Sequence, residues 1–441
     1  MNDQPLYPLF VRPVDPNAKE PFSDDLFERK KLADQLTGCL SRLPEGCVFG
    51  IDAPWGDGKS WFAQNWRGDL EKNGYQVIYL DAFQKDYIED PFLMISGEIL
   101  KRIKQDQHDL RRRFLETGKK VGTALLPMAT KLAVNATGRW ILGTSNLSEG
   151  LQRAAKDLQE EGGDTLENLI ERRLSGYEAD HLSVENFRAA LSELGGTPEK
   201  PLVFMIDELD RCRPDFAVKT IERIKHFFDV RGVVFVLLLN REQLAASVRG
   251  VYGSEIDSEM YLGKFLQFTV SLPKVKSFEL RGRDHNVSFA EKTLMRYGFS
   301  KTDPVSGFAR AMGFFATHMG LSFRDIERAV VLYSFAQPVN DSSVFLAWPI
   351  ALKLKHPDIF RGVLEGLPES HQQAKELLAA VRKATPDFGH LDLLGVLHNF
   401  YRGSSQTLSA EQAYQLPGSF RIRPEMFMPW LCSCIDLTIK D

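Results

Sequence analysis

Eight consecutive residues, Ala53 to Ser60, combine the residue types that bind the phosphates of a nucleotide. Glycines at positions 56 and 58 allow a tight turn in which backbone N–H groups point inward, and the positive end of a following helix adds to their attraction for anions. Lys59 would reach the β and γ phosphates, and the Ser60 hydroxyl would ligate Mg²⁺. The segment predicts a phosphate-binding loop. Its predicted nucleotide-binding residues are Trp55, Gly56, Asp57, Gly58, Lys59, Ser60 and Trp61.

The surroundings of this segment fit the same interpretation. An apolar run from Cys47 to Ile51 precedes it, and Trp61 to Leu70 can continue as a helix. Ala53 departs from the pattern, which has a glycine there, but alanine is small enough for the position. An incidental turn is the alternative.

A second segment supplies the carboxylates that phosphate chemistry needs. Leu202 to Ile206 is a continuous apolar run, typical of a fully buried parallel strand, and it ends in Asp207 and Glu208. Open α/β sheets bind their ligands at this end of the strands. Asp207 is predicted to hold Mg²⁺, commonly through water, and Glu208 to orient and deprotonate the attacking water. An ordinary turn is the alternative, and the presence of the loop makes it less favourable.

Together these residues resemble the KAP family of P-loop NTPases over about residues 20–335. The most discriminating element is the run from Ile206 to Cys212, which contains Asp207, Asp210 and Arg211. The resemblance also rests on the glycine-rich loop, on Leu80-Asp81-Ala82-Phe83 followed by Asp90-Pro91, and on Tyr261-Leu262-Gly263-Lys264-Phe265 before Leu272-Pro273.

The family usually has a second aspartate at the position of Glu208, and glutamate keeps the carboxylate. The resemblance implies nucleotide hydrolysis coupled to a conformational output, frequently at a membrane, and in bacteria often in mobile elements or anti-phage defence. ATP is favoured over GTP because the chain lacks a guanine-reading Asn-Lys-x-Asp motif.

The order of elements predicts an α/β fold, a P-loop NTPase with a mostly parallel sheet covered by helices on both faces. Helical patterns separate the strand candidates, and a first helix is predicted over Leu26–Leu40. The five strand candidates are Val48–Asp52, Gln76–Asp81, Leu202–Asp207, Val233–Asn240 and Leu266–Leu272. The predicted organisation is a leader (1–21), the first part of the P-loop core (22–100), a helical insertion (101–195), the second part of the core (196–275), a helical lid (276–335) and a C-terminal helical region (336–441).

The insertion contains a basic run, Lys101 to Lys120, with three consecutive arginines at 111–113. It continues into a weakly apolar segment from Val121 to Leu147, which we predict not to span a membrane because charged residues interrupt it. A peripheral membrane or partner-binding hairpin is one interpretation. A solvated helix packed on its neighbours is the favoured one.

Further residues could complete the site. Asn240, at the end of the fourth strand, could sense the attacking water or cap the following helix. Arg324, and after it Arg328, could approach the phosphates, as in the family's helical lid. The alternative for both is a surface ladder of ion pairs. Arg211 is expected to brace the strand end or a neighbouring subunit. The predicted catalytic set is Glu208, Lys59, Asn240 and Arg324. By resemblance, the adenine pocket would involve Asp24, Leu26, Phe27 and Arg29.

Composition sets limits on partners and location. The net charge of -4 gives no general attraction to nucleic acid, and five scattered cysteines suggest a reducing cytosol. No signal peptide is visible, so we expect a cytoplasmic protein.

The predicted function is an ATP-hydrolysing regulatory switch with protein partners encoded nearby, and a homo-oligomer is compatible with it. The alternatives are a nucleic-acid remodelling ATPase and a membrane-associated scaffold controlled by nucleotide. The aromatic tail, with Phe427 and Leu431, is predicted to dock on a core or a partner.

Overall fold

The computed structural model describes residues 20–103, 107–124, 182–197, 199–273, 285–336, 343–384, 390–401, 409 and 423–436. The predicted leader up to residue 19 and the apolar segment from residue 125 onward lie outside these residues. The chain divides into two compact units. The sheet unit takes in Lys30–Ala53 and the described residues of Lys59–Leu272. The helical unit takes in the described residues of Met1–Arg29, Pro54–Gly58 and Pro273–Asp441.

The sheet unit is built on five parallel strands in the order β2-β3-β4-β1-β5. They are β1 (Cys47–Asp52), β2 (Val77–Asp81), β3 (Leu202–Asp207), β4 (Val233–Leu239) and β5 (Phe268–Ser271). All five predicted strands, and the predicted α/β fold, are confirmed. Strand β4 lies between β1, which leads into the loop, and β3, which carries Asp207.

Burial explains why these segments form the centre of the sheet. Every residue of β3 and of β4 is buried. Since successive side chains of a strand point to opposite faces, both faces of the sheet are covered there. Phe204 and Phe235 stack across the two strands with their ring centroids 5.0 Å apart.

Among the described residues of this unit, eight helices flank the strands in the chain. They are α1 (Arg29–Leu40), α2 (Lys59–Lys72), α3 (Pro91–Arg102), α4 (His108–Ala124), α5 (182–194), α6 (Pro214–Arg223, continued by a π turn, Ile224–Phe228), α7 (Arg241–Tyr252) and α8 (Ser258–Gly263).

The first helix begins later than the sequence predicts. The Asp25 side chain accepts a hydrogen bond from the backbone N–H of Phe27 at 3.0 Å, and Glu28 has a left-handed φ of 53°. Both features are incompatible with continuous helix. The prediction of a helix from Leu26 was therefore wrong, and α1 starts at Arg29.

The described part of the predicted insertion packs as helices in the sheet unit. Phe114 of α4 and Phe187 of α5 are buried in its core, with ring centroids 5.0 Å apart. Arg113 donates two hydrogen bonds to Glu193 of α5, at 2.9 and 2.7 Å. These contacts favour the packed-helix interpretation of the basic run. In the described residues, no helix is both long and apolar enough to cross a membrane.

The helical unit has its own hydrophobic core, to which residues from Ala290 to Ile435 contribute. The predicted lid and C-terminal region share this core, while the boundary between them stays a prediction. Phe427 and Leu431 are buried in it, so the aromatic tail packs on this core. The helices are α9 (His285–Arg296), α10 (Asp303–Met319), α11 (Phe323–Phe335), α12 (Ser343–Lys355), α13 (Pro357–Glu365), α14 (Pro368–Ala384), α15 (His390–Leu397) and α16 (Pro424–Asp436).

Local signals mark two breaks between helices of this unit. Gly320 ends α10 in the left-handed region, and Ser322 begins α11 in a reciprocal capping box with Asp325. Gly366, also left-handed, separates α13 from α14. Both breaks follow the usual chemistry of helix ends.

Candidate active site

The carboxyl ends of β2 and β3 place two aspartates side by side. Asp81 pairs with Asp207 in the parallel register, and Glu208 follows Asp207 directly. Asp207 is completely buried, whereas Asp81 and Glu208 are partly buried. The end of the sheet at which such folds bind their ligands therefore carries a group of carboxylates.

The two oxygens of the Asp207 carboxylate accept hydrogen bonds from different donors. The backbone N–H of Glu208 donates to Oδ1 at 2.8 Å, and the hydroxyl of Tyr79 donates to Oδ2 at 2.8 Å. Burial raises the pKa of Asp207, while hydrogen bonds from Ser60 and Tyr79 and the charge of Lys59 oppose that shift. Tyr79 could not be predicted for this site, because in the sequence it looks like an ordinary strand residue within an apolar run.

Glu208 has a backbone conformation that a glutamate rarely adopts, with φ 60° and ψ 23°. Such left-handed residues cost about 1–2 kcal/mol and tend to occur at functional sites. A short 3₁₀ turn, Leu209–Arg211, brings Arg211 back so that its Nε forms an ion pair with Glu208 Oε2. The other oxygen, Oε1, lies 3.5 Å from Ser60 Oγ.

The electrostatics of Glu208 suit a general base. Burial and the neighbouring charge of Asp207 raise the pKa of its carboxyl group, and Arg211 opposes the shift. A carboxylate with a raised pKa accepts a proton more readily, which general-base catalysis requires.

Lys59 is buried at the start of α2, and its ammonium group donates to the carbonyl oxygen of Ala53 at 2.7 Å. Burial lowers the pKa of Lys59, while the charges of Asp210, Asp207 and Glu208 raise it. The sheet unit therefore brings together Lys59, the two predicted magnesium ligands, Ser60 and Asp207, and the predicted base, Glu208.

Asn240 caps α7, as one of its two predicted roles requires. Its side-chain oxygen accepts a hydrogen bond from the backbone N–H of Gln243 at 3.3 Å. Asp52, at the end of β1, accepts from the backbone N–H of Arg241 at 2.8 Å. The capping role is confirmed, and the water-sensing role of Asn240 stays a prediction. This role of Asp52 was not predicted, because its signal in the sequence is no more than a polar residue at the end of a strand.

The middle of the loop, Pro54–Gly58, belongs to the helical unit, where Arg29 holds its backbone. The buried guanidinium of Arg29 donates to the carbonyl oxygens of Asp57 at 2.8 Å and Gly58 at 3.4 Å. It lies over the rings of Phe27 and Phe323, 5.0 and 5.9 Å from their centroids. Burial lowers the pKa of Arg29 to about 10, against the opposing charges of Asp57 and Asp25.

The start of α11 contacts the same loop. The backbone N–H of Arg324 donates to the Gly56 carbonyl oxygen at 3.4 Å, and the side chain of Arg324 is exposed. Arg328 is exposed as well and lies 3.6 Å from Asp325, as in the predicted ion-pair ladder. Of the two candidate arginines, the structure brings Arg324 to the loop.

The remaining predicted loop residues differ in exposure. Trp55 is exposed, Asp57 is buried, and Trp61 is partly buried in the first turn of α2. Gly56 and Gly58 have positive φ values of 85° and 81°, as the predicted tight turn requires.

A family model described as the KAP family P-loop domain matches residues 29–288, more than half of the 441-residue chain. The chain belongs to the KAP family. The match begins at the first residue of α1 and includes all five strands and both predicted motifs. It confirms the family resemblance.

Comparisons with other proteins add little to this assignment. No curated protein matches this KAP chain. A solved structure described as "Structure of the Aeropyrum Pernix ORC2 protein (ADPNP-ADP complexes)" is 12% identical, covering 93% of this chain and 94% of that chain, with a TM-score of 0.33. That TM-score is too low to establish a shared fold.

The side chains of this KAP protein fit a magnesium ion. Mg²⁺ prefers oxygen ligands and keeps several waters, so few protein groups suffice. Ser60 offers a hydroxyl, and Asp207 offers a buried carboxylate whose two oxygens already have protein donors. A buried carboxylate of this kind is stabilised by a nearby cation.

Proposed function

We propose that this KAP protein binds and hydrolyses ATP with Mg²⁺. The observation that carries the proposal is the cluster of Lys59, Ser60, Asp207 and Glu208 at the carboxyl end of the parallel sheet. Lys59 neutralises the β and γ phosphates, and the loop amides from Trp55 to Trp61 bind their oxygens. Ser60 and Asp207 would hold a magnesium ion, which would supply positive charge to the phosphates.

Glu208 is the group that takes a proton from the attacking water. Its raised pKa and its proximity to Ser60 support this role. Arg324 would stabilise the charge that develops on the γ phosphate, and its exposed side chain next to Gly56 supports that assignment. Asn240 would orient the water from the end of β4.

The cycle of ATP binding and hydrolysis serves as a regulatory switch. The contact between the loop and the first turn of α11 supports this proposal, because a change in the loop would reach the helix directly. We further propose that the protein is cytoplasmic and acts with protein partners encoded nearby. A role in anti-phage defence would agree with the family resemblance. A homo-oligomer remains compatible with this role.

Two variants test the hydrolytic assignment. Lys59→Ala should abolish ATP binding, measured by calorimetry, because the phosphate charge loses its counter-charge. Glu208→Gln should bind ATP normally but lose turnover by about 10²–10⁴-fold, the typical contribution of a general base. Glu89→Gln, an exposed glutamate, is the matched control and should keep normal turnover.

The opposite results would contradict separate parts of the proposal. Normal turnover by Glu208→Gln would remove Glu208 as the base. Normal ATP affinity in Lys59→Ala would remove the loop as the nucleotide site.

A further inference from the structure

Tyr79 reaches Asp207 from the neighbouring strand. In the parallel register Tyr79 of β2 pairs with Met205 of β3, so Asp207 lies two residues further along on the same face of the sheet. Residues in this diagonal relation are about 7–8 Å apart, a span that only a long side chain crosses. The phenol of Tyr79 crosses it and donates to Asp207 Oδ2 at 2.8 Å.

The second donor to this carboxylate is fixed in place. The backbone N–H of Glu208 donates to Oδ1 at 2.8 Å, and Glu208 itself is held in a left-handed conformation. A carboxylate with one acceptor oxygen bound would still rotate about its Cβ–Cγ bond. With a separate donor on each oxygen, its plane is fixed.

The surroundings make this hydrogen bond important. Asp207 is completely buried, so its carboxylate depends on donors from the protein. Buried polar groups without a partner are costly, and charged ones more so. Tyr79 therefore provides both an orientation and a large part of the polar environment for this carboxylate.

We propose that Tyr79 is a positioning residue that orients Asp207 toward the magnesium of the bound nucleotide. The inference rests on the proposed function. Hydrogen-bond partners of metal-binding groups typically contribute 10–100-fold to metal affinity. Removing the Tyr79 hydroxyl should therefore weaken Mg²⁺ binding and leave contacts to the nucleotide itself intact.

The experiment compares Tyr79→Phe with the wild-type chain. The first readout is the thermal stabilisation produced by a non-hydrolysable ATP analogue as Mg²⁺ is titrated. We expect the Mg²⁺ concentration for half-maximal stabilisation to rise about tenfold or more. The second readout is analogue binding in EDTA, which should stay at the wild-type level. Mg²⁺-dependent turnover should show the same shift in its midpoint.

Tyr75→Phe is the matched control. Tyr75 lies two residues before the start of β2, is partly buried, and its hydroxyl lies 3.5 Å from the Glu199 carbonyl oxygen. Loss of that hydroxyl should leave the Mg²⁺ midpoint unchanged. A purely structural role of Tyr79 would lower the melting temperature without ligand but would not move the midpoint.

A second variant keeps the test decisive if Tyr79→Phe unfolds. Tyr79→Gln retains a donor on a shorter side chain and should also raise the Mg²⁺ midpoint, because its amide falls short of Asp207. A wild-type midpoint in a folded Tyr79 variant would overturn the inference. A wild-type chain without any Mg²⁺-dependent stabilisation by the analogue would instead overturn the proposed function.

Discussion

At the scale of single residues, Gly56 meets two requirements at once. Its φ of 85° lies in the region that glycine adopts freely and that side chains with a Cβ avoid. A Cβ at this position would lie 2.6 Å from Ser322 Oγ and 2.9 Å from the Cβ of Arg324. The sequence predicted the tight turn, and the close approach of α11 became visible only in the structure.

Gly56→Ala should therefore lower both stability and nucleotide affinity. The left-handed backbone alone costs an alanine about 1–2 kcal/mol, and the contact with Ser322 adds to that. We expect a lower melting temperature and at least a tenfold weaker affinity for ATP, measured by thermal unfolding and calorimetry.

Gly97→Ala is the control for this substitution. Gly97 lies within α3, and a Cβ there would meet nothing within 4 Å. Alanine is favoured over glycine in a helix by about 1 kcal/mol, so the melting temperature should stay or rise. A Gly56→Ala protein that behaves like Gly97→Ala would contradict the account of the loop.

At the scale of elements, the insertion of β4 between β1 and β3 gives Asn240 its position. Its side chain is already used in capping α7. The cap uses the side-chain oxygen of Asn240. The proposed contact with the attacking water would use the other group of the amide, its N–H₂. Capping and sensing can therefore be separated by mutation.

Asn240→Asp keeps an oxygen acceptor for the cap but loses the N–H₂ donor. If Asn240 senses water, this variant should keep wild-type stability and lose at least tenfold in turnover. Asn240→Ala should lose turnover and also about 1 kcal/mol of stability, since the cap is gone. Steady-state kinetics and urea unfolding provide the two measurements. Unchanged turnover in Asn240→Asp would restrict the residue to capping.

At the scale of the whole molecule, the core of the helical unit contains a buried pair of histidines. Trp348 Nε1 donates to Nε2 of His398 at 2.8 Å, and Nδ1 of His398 lies 3.2 Å from Nδ1 of His371. Burial lowers the pKa of His371 to about 4. Burial is the largest of the effects that lower the pKa of His398 far below 6.5. The charges of His371 and Lys375 lower it further.

These shifts predict a loss of stability in acid. The unfolded chain binds protons at its histidines near pH 6.5, whereas the folded chain resists protonation. The contribution of neutral His371 to the free energy of unfolding should have its full value above pH 6.5. It should decrease as the pH falls from 6.5 toward about 4. Urea unfolding followed by circular dichroism at pH 7.5 and pH 5 measures this change.

Substitution separates this pair from other acid-sensitive groups. His371→Gln should show a smaller loss between pH 7.5 and pH 5 than the wild-type chain. His108→Gln is the control, since His108 is exposed, and should keep the wild-type pH dependence. An equal loss in wild type and His371→Gln would show that other groups govern the acid sensitivity.

The strands, the glycine-rich loop and the two adjacent carboxylates at the end of β3 could be predicted from the sequence. These features are local: apolar runs, glycines and adjacent polar residues dictate them without reference to distant parts of the chain. The start of α1 was missed because the Asp25 turn and the left-handed Glu28 override the helical pattern.

The side chains that reach Asp207 and the loop backbone from distant parts of the sequence became visible only in the fold. Tyr79 binds Asp207 because the register of β2 against β3 sets their diagonal distance. Arg29 donates to the loop backbone because the packing of the helical unit buries its guanidinium over the rings of Phe27 and Phe323. Such contacts depend on how strands align and helices pack, which the residue pattern of one segment does not encode.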